Sequence, residues 1–293
     1  MHRGTAQKIL LAAGVVATLL VACGGNVVVD HELSSGSGGA GGYTTVVGVG
    51  AGQPTTTSSV TSTGVGGNTG VPDTIRSACP ELAAEMPVCI MVDYEGIVAV
   101  SPRTGEQCRL LSDLQGAITS SDASSIAVIG EQIHWCNFES LNRISLEGVV
   151  RSVPYLCQAV TTWEGKLLVR SYGQGTETLK VHGSLEDIEM GVPPEDIFYT
   201  DDDNSRWVAS ETTLYSAWHS TSEIRRVSFP SLEPQPSLAL QGFDGWVMGM
   251  WPDEAEGVML VNSYGRFLTF DLTSGAKVGE VVTSSGDGIH CWK

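Results

Sequence analysis

From about residue 88 onward, short runs of Val, Ile, Leu, Tyr and Trp alternate with Gly, Asp, Ser and Pro turns. Runs of this length, bounded this way, read as β-strands and leave no room for a helical period. They also recur. Trp246 to Trp251, Val258 to Asn262, Phe267 to Asp271 and Ala276 to Val282 form one four-strand unit over 244–283. Ser125 to Ile129, Gln132 to Cys136, Leu141 to Leu146 and Val149 to Val153 form another over 124–155. Turn glycines at 105, 148 and 275 stand 43 and 127 residues apart, or one and three units of about 42. Four short strands in that period predict an all-β chain, a β-propeller of about five, possibly six, four-stranded blades.

The stretch Tyr264-Gly265-Arg266-Phe267-Leu268-Thr269-Phe270-Asp271-Leu272-Thr273-Ser274-Gly275 resembles the PQQ-like or YVTN-type propeller repeat, with Glu95 to Gly105 a weaker copy. The resemblance spans about 88–293 and implies architecture, not activity. The middle, 157–240, fits less well; strands are expected there at 158–163, 166–172, 177–182, 206–210, 213–218, 224–229 and 236–240, with a blade boundary near Pro193-Pro194. Ahead of the strands, Cys79 to Met86 is expected to form a short helix ended by Pro87.

The first blade begins with three strands, 88–93, 97–101 and 106–111, and the chain ends on an orphan strand, Ile289 to Trp292. In propellers the last strand often completes the first blade and removes its open edge. That closure would set Cys291 beside Cys89, leaving Cys79–Cys108 and Cys136–Cys157 as the remaining pairs. Six cysteines by themselves allow 15 pairings, or two bridges plus free thiols. No CxxC or zinc-ligand spacing accompanies them.

The N-terminus reads as an address. Arg3 and Lys8 precede a 12-residue apolar run from Ile9 to Leu20, too short to span a membrane. Leu20-Val21-Ala22-Cys23 then resembles the bacterial lipobox. The resemblance implies a signal peptide over 1–22, removed in the mature protein, and palmitate-type acylation of Cys23. Two or more chains hold a protein stably to a bilayer. Gly24, where an aspartate would favour the inner membrane, fits the outer membrane. Residues 23–78 are read as the lipidated N-terminus and a linker, and 79–293 as the folded domain. Between 33 and 72 there is no charged side chain, and Gly, Ser and Thr fill 26 of 40 positions. Such a disordered tether averages roughly 35 Å end to end and stretches to on the order of 130 Å.

The leader takes two of 16 basic residues and none of 33 acidic ones, so the mature chain has 14 against 33, a formal charge of −19. This excludes a nucleic-acid binder and disfavours direct adhesion to anionic lipid. The expected partners are the membrane, through the lipid anchor, and an envelope protein or a glycan.

No GxSxG, HExxH or Walker-type loop is present, and no cofactor is implied. The repeats are too few for a quinone-dependent dehydrogenase and lack its tryptophan-ended motif. Asp201, Asp202 and Asp203 could offer oxygen ligands to Ca²⁺, without the DxDxDG spacing; a solvated acidic loop is the plainer reading. Trp135, Trp163, Trp207, Trp218, Trp246, Trp251 and Trp292 fit packing between blades, or else a sugar groove. His134, His219 and His290 stand beside tryptophans, and Asp93 and Glu95 read as turn acids. A non-catalytic binding or scaffold module is therefore the expected function. The alternative is a glycan hydrolase or lyase with paired carboxylates in the propeller channel.

Overall fold

The computed structural model describes residues 70–84, 86–93, 95–112, 125–173, 176–202 and 204–292; the leader, Cys23, the linker to residue 69 and Asp203 lie outside them. The chain opens with two short helices, α1 (Asp73–Ala78) and α2 (Pro80–Ala83). Twenty strands follow in five antiparallel sheets of four, a five-bladed β-propeller.

Blade one takes β1 (Val88–Asp93), β2 (Gly96–Val100) and β3 (Gln107–Ser112). Blade two is β4 (Ile126–Ile129), β5 (Gln132–Cys136), β6 (Phe138–Ser145) and β7 (Val150–Cys157). Blade three is β8 (Ala159–Trp163), β9 (Lys166–Gly173), β10 (Thr176–His182) and, after helix α3 (Leu185–Glu189), β11 (Asp196–Thr200). Blade four is β12 (Arg206–Ala209), β13 (Thr213–Ala217), β14 (Glu223–Ser228) and β15 (Pro234–Ala239). Blade five is β16 (Gly249–Asp253), β17 (Val258–Ser263), β18 (Arg266–Asp271) and β19 (Lys277–Val282). The last strand, β20 (Asp287–Trp292), returns to pair with β1 and becomes the first strand of blade one.

The burial pattern explains why these residues form these strands. In β1, Val88, Ile90 and Val92 face blade two, while Cys89 and Met91 face blade five. Both faces are covered, so the strand reads as a continuous apolar run. An outer strand such as β19 alternates exposed with partly buried residues instead. Five apolar clusters result, one between each pair of adjacent blades. Five of the seven tryptophans lie in them: Trp135 and Trp292 between blades one and two, Trp163 and Trp207 between three and four, Trp251 between five and one.

The recurring glycine also has a structural cause. Gly275 has φ 71°, and a Cβ on it would stand 1.8 Å from the Ala239 carbonyl oxygen of blade four's outer strand. Gly105, at φ 78°, would meet the Val282 carbonyl oxygen of blade five at 2.5 Å. Left-handed backbone and close approach to the preceding blade exclude any side chain there.

Closure occurs as the propeller resemblance implied. Cys89 pairs with Cys291 across β1 and β20, Cys79 with Cys108, and Cys136 with Cys157.

Several expectations need correction. The helix placed at Cys79 to Met86 is instead two helices broken at Cys79, the first of them beginning at Asp73. Val71 and Ile75, read as the end of the linker, are buried between blades one and two because α1 covers the apolar layer there. Pro193-Pro194 is no blade boundary; it lies in the connection from β10 to β11, inside blade three. β11 lies outside the expected strands, because an exposed outer strand lacks the apolar run that identifies inner ones. Trp246 lies ahead of β16 rather than within it.

Candidate functional site

Antiparallel order sends alternate connections to opposite ends of the propeller. One end, called here the upper end, carries the connection after the second strand of each blade and the crossing into the next blade. In blades four and five those connections hold Trp218 and His219 (after β13), Trp246 (before β16) and Tyr264 (after β17).

The four side chains make a continuous row. Trp218 and His219 have ring centroids 5.6 Å apart, His219 and Trp246 4.5 Å, and Trp246 and Tyr264 5.8 Å. Backbone bonds hold the row in register: Val247 N–H donates to the His219 carbonyl at 2.8 Å, and Trp246 N–H to Ser263 Oγ at 3.2 Å. Yet three of the four rings are about half exposed, Trp218 and Trp246 at 45% and Tyr264 at 53%, with His219 partly buried between the tryptophans. A folded domain normally buries such large aromatic surfaces, so this contiguous exposed group is the candidate contact site.

Tyr264 adds a second signal. With Gly265 it forms the two-residue turn joining the paired residues Ser263 and Arg266, at φ 40° and 76°. Hairpin turns with two positive φ values favour Asn-Gly or Asp-Gly. A bulky aromatic in the left-handed region costs on the order of 1 kcal/mol. The ring at this tip is thus held against local preference.

Polar groups flank the rings. Arg266 lies 3.3 Å from Asp244 and 3.5 Å from Glu280. Trp218 also walls an open cavity of about 330 Å³ lined by Asn204, Thr221, Glu223 and Gln235 among others. A second cavity, about 350 Å³, lies between the outer strand of blade three, β11, and blade four, with Tyr199, Asp202, Trp207 and Arg225 in its wall.

Asp287, at the start of β20, is 2% exposed at the upper end, where Gly288 N–H donates to the Met248 carbonyl. Burial pushes its carboxyl up to about 7, against the opposing field of Arg206. Its Oδ1 has no hydrogen-bond partner among the described residues. Arg206 itself donates to the Val247 carbonyl at 3.1 Å and to Ser205 Oγ at 3.1 Å.

The acids singled out in the sequence do other work. Arg109 binds both oxygens of Asp93, at 2.7 and 2.8 Å, and reaches Glu95 at 3.0 Å; Asp93 also accepts the Glu95 and Gly96 N–H groups, so it is a turn acid. Asp201 accepts from Arg225 at 2.9 Å, which holds its carboxyl below the usual range. Asp202 accepts the Ser216 hydroxyl and the Asn204 N–H, 3.8 Å from Arg225. These carboxylates face a guanidinium, and among the described residues no group of three side chains could hold a metal ion. His134 is buried in blade two, and burial, helped by Arg143, pushes it down to about 4. Enclosure likewise lowers His290 to about 4, beside Trp292. Of the three histidines, only His219 joins the aromatic row.

No protein-family model matches this sequence, and no curated protein does. Solved structures do. A Bacteroides caccae protein of unknown function is 15% identical, with a TM-score of 0.40, over 67% of this chain and 73% of its own. Myxococcus xanthus glutaminyl cyclase is 10% identical, with a TM-score of 0.41, over 57% and 72%. Kluyvelomyces marxianus Hsv2 is 8% identical, with a TM-score of 0.32, over 49% and 43%. At these values the likenesses bear on no residue of the site.

Proposed function

We propose that this protein is an exported lipoprotein, acylated at Cys23 and held on the outer membrane, whose propeller is a non-catalytic binding module on a long tether. The upper end of blades four and five is its binding face. The exposed aromatic row across Trp218, His219, Trp246 and Tyr264 carries this reading. Three disulfides add support, since such bonds persist in oxidising compartments. The buried carboxylates Asp93 and Asp202 are held by Arg109 and by Ser216 and Asn204, as structural acids are.

The test is photo-crosslinking in intact cells. A photoreactive residue at position 264 is compared with one at Met190, 70% exposed on the opposite end. Adducts from 264 and none from 190 are expected, together with loss of membrane retention in Cys23→Ser. Equal labelling at both positions would remove the binding face, and unchanged retention would remove the lipid anchor.

The alternative, a glycan-active enzyme, draws on Asp287, an acid raised to about 7 at the upper end. The charged group acting on it is Arg206, whereas glycoside hydrolysis ordinarily uses a second carboxylate. Hydrolysis abolished by Asp287→Asn would favour that reading.

A further inference from the structure

We infer that the aromatic row is a subsite for an uncharged oligosaccharide, the sugar rings lying on Trp218, Trp246 and Tyr264. The inference rests on the binding-face reading above and gives its ligand a chemical class. Three observations lead to it. Trp218, Trp246 and Tyr264 are exposed, and the four rings follow one another with neighbouring planes tilted by 49–62°, a faceted succession of ring faces rather than a single pocket. Flat rings of this kind match the C–H faces of pyranoses, while their polar edges stay hydrated.

The polar groups beside the rings suit hydroxyls. Asp244 and Arg266 flank the row, and the cavity at Trp218 is lined by the Thr221 hydroxyl, the Glu223 carboxylate, Arg225 and Arg226, and the amides of Asn204 and Gln235, whose nitrogens also donate to Ser216 and Ser228. Planar side chains with paired donors and acceptors meet vicinal hydroxyls two at a time. A binding site needs a few such groups set around apolar walls.

Charge decides the rest. The whole chain carries −17, which repels uronate, sulfate and phosphate polymers. Asp244 and Glu280 share Arg266, Asp201 and Asp202 lie against Arg225 of the cavity wall, and Arg226 there donates to the Pro236 and Leu272 carbonyls, so each guanidinium is already engaged within the chain.

Tyr264→Asn supplies a variant that folds. It installs the residue the turn favours and removes only the ring. The full chain, purified with its anchor in detergent, is titrated with hexamers of β-1,4-linked glucose, N-acetylglucosamine, xylose and mannose, and with hexagalacturonate as the anionic control. Tryptophan fluorescence and calorimetry are the readouts. Saturable binding of at least one neutral hexamer is expected, with none of the hexagalacturonate. Tyr264→Asn should weaken it about tenfold without lowering the melting temperature, and Trp246→Ala more than that. Failure of all four neutral hexamers to bind, or binding unchanged in both variants, overturns the inference. If the hexamers fail while position 264 still crosslinks to an envelope protein, the sugar subsite falls and the binding face stands. If neither occurs, both fall.

Discussion

Cys89–Cys291 lies in blade one, Cys136–Cys157 in blade two, and Cys79–Cys108 ties the N-terminal helices to blade one; blades three, four and five contain no disulfide. Blades four and five carry the exposed aromatic row instead. The difference follows from chain order. Blade one is assembled from the two ends of the domain, β1 to β3 and β20, so its first strand comes from 202 positions beyond Cys89. Blades three to five are each a local meander whose strands pair with sequence neighbours. Local pairing has a small loop-closure cost, and closing the ring has a large one. One covalent link, Cys89–Cys291, sits where that cost is greatest, whereas Cys136–Cys157 lies inside blade two, itself a local meander, and the exposed row lies on blades that hold together without sulfur.

Breaking the Cys89–Cys291 bridge in a Cys89→Ala/Cys291→Ala double variant should have the largest effect. The loop-entropy relation gives about 5 kcal/mol for a loop of this size, against about 3 kcal/mol for the 21-residue separation of Cys136 and Cys157. Denaturant midpoints of the two double variants, measured under the same oxidising conditions, check the ranking. Equal losses would mean that closure is not the costly step.

Asp287, at the root of the closing strand, should make stability depend on pH. Its carboxyl is raised from 3.8 to about 7, so between those values the folded chain binds a proton that the unfolded chain has lost. Stability from this group is full below about pH 4 and falls as pH rises through 7, by up to about 4 kcal/mol. Asp287→Asn should equal the parent near pH 4 and exceed it at pH 8. His134, in blade two, has the opposite sign. Its imidazole is lowered from 6.5 to about 4, so its contribution is complete above 6.5 and is lost as pH falls toward 4. A melting-temperature profile unaffected by Asp287→Asn would show that the carboxyl finds a partner at neutral pH.

A buried ion pair does in blades three and four what sulfur does in one and two. Arg170, 3% exposed, donates Nε to Glu177 at 2.8 Å, contacts the Asn204 carbonyl, and lies 5.4 Å from the Trp207 ring. Arg170→Met would strand Glu177 and should cost about 3 kcal/mol in urea unfolding. A cost near that of a surface substitution, within about 0.5 kcal/mol, would show that the pair is replaceable. Tyr264→Asn is the smallest expected change, a gain of at most about 1 kcal/mol from relief of the positive φ. A loss would mean that the ring is structural.

Much of the fold was legible. β1 and β5 were bounded correctly because a strand buried on both faces leaves an unbroken apolar run. The closing strand and its Cys291 could be placed because blade one lacked a fourth strand of its own. β11 was lost because its exposed residues follow two prolines and run into an acidic turn. Start-to-start intervals of 38, 33, 47 and 43 residues between β1, β4, β8, β12 and β16 also show why a fixed 42-residue repeat fitted the middle poorly. The candidate site was the least legible part. Seven tryptophans look alike in sequence, and only packing separates the five between blades from Trp218 and Trp246.

The sequence by itself determined the all-β period, the turn glycines and the acidic charge, because each depends on residues within one blade or on composition alone. Only the tertiary structure decided that Trp218, His219, Trp246 and Tyr264 form one row, and that Asp287 enters the layer beside Arg206 without a partner for Oδ1 among the described residues. Those relations join neighbouring blades, where the separation along the chain is tens of residues and the contact is set by how the sheets stack.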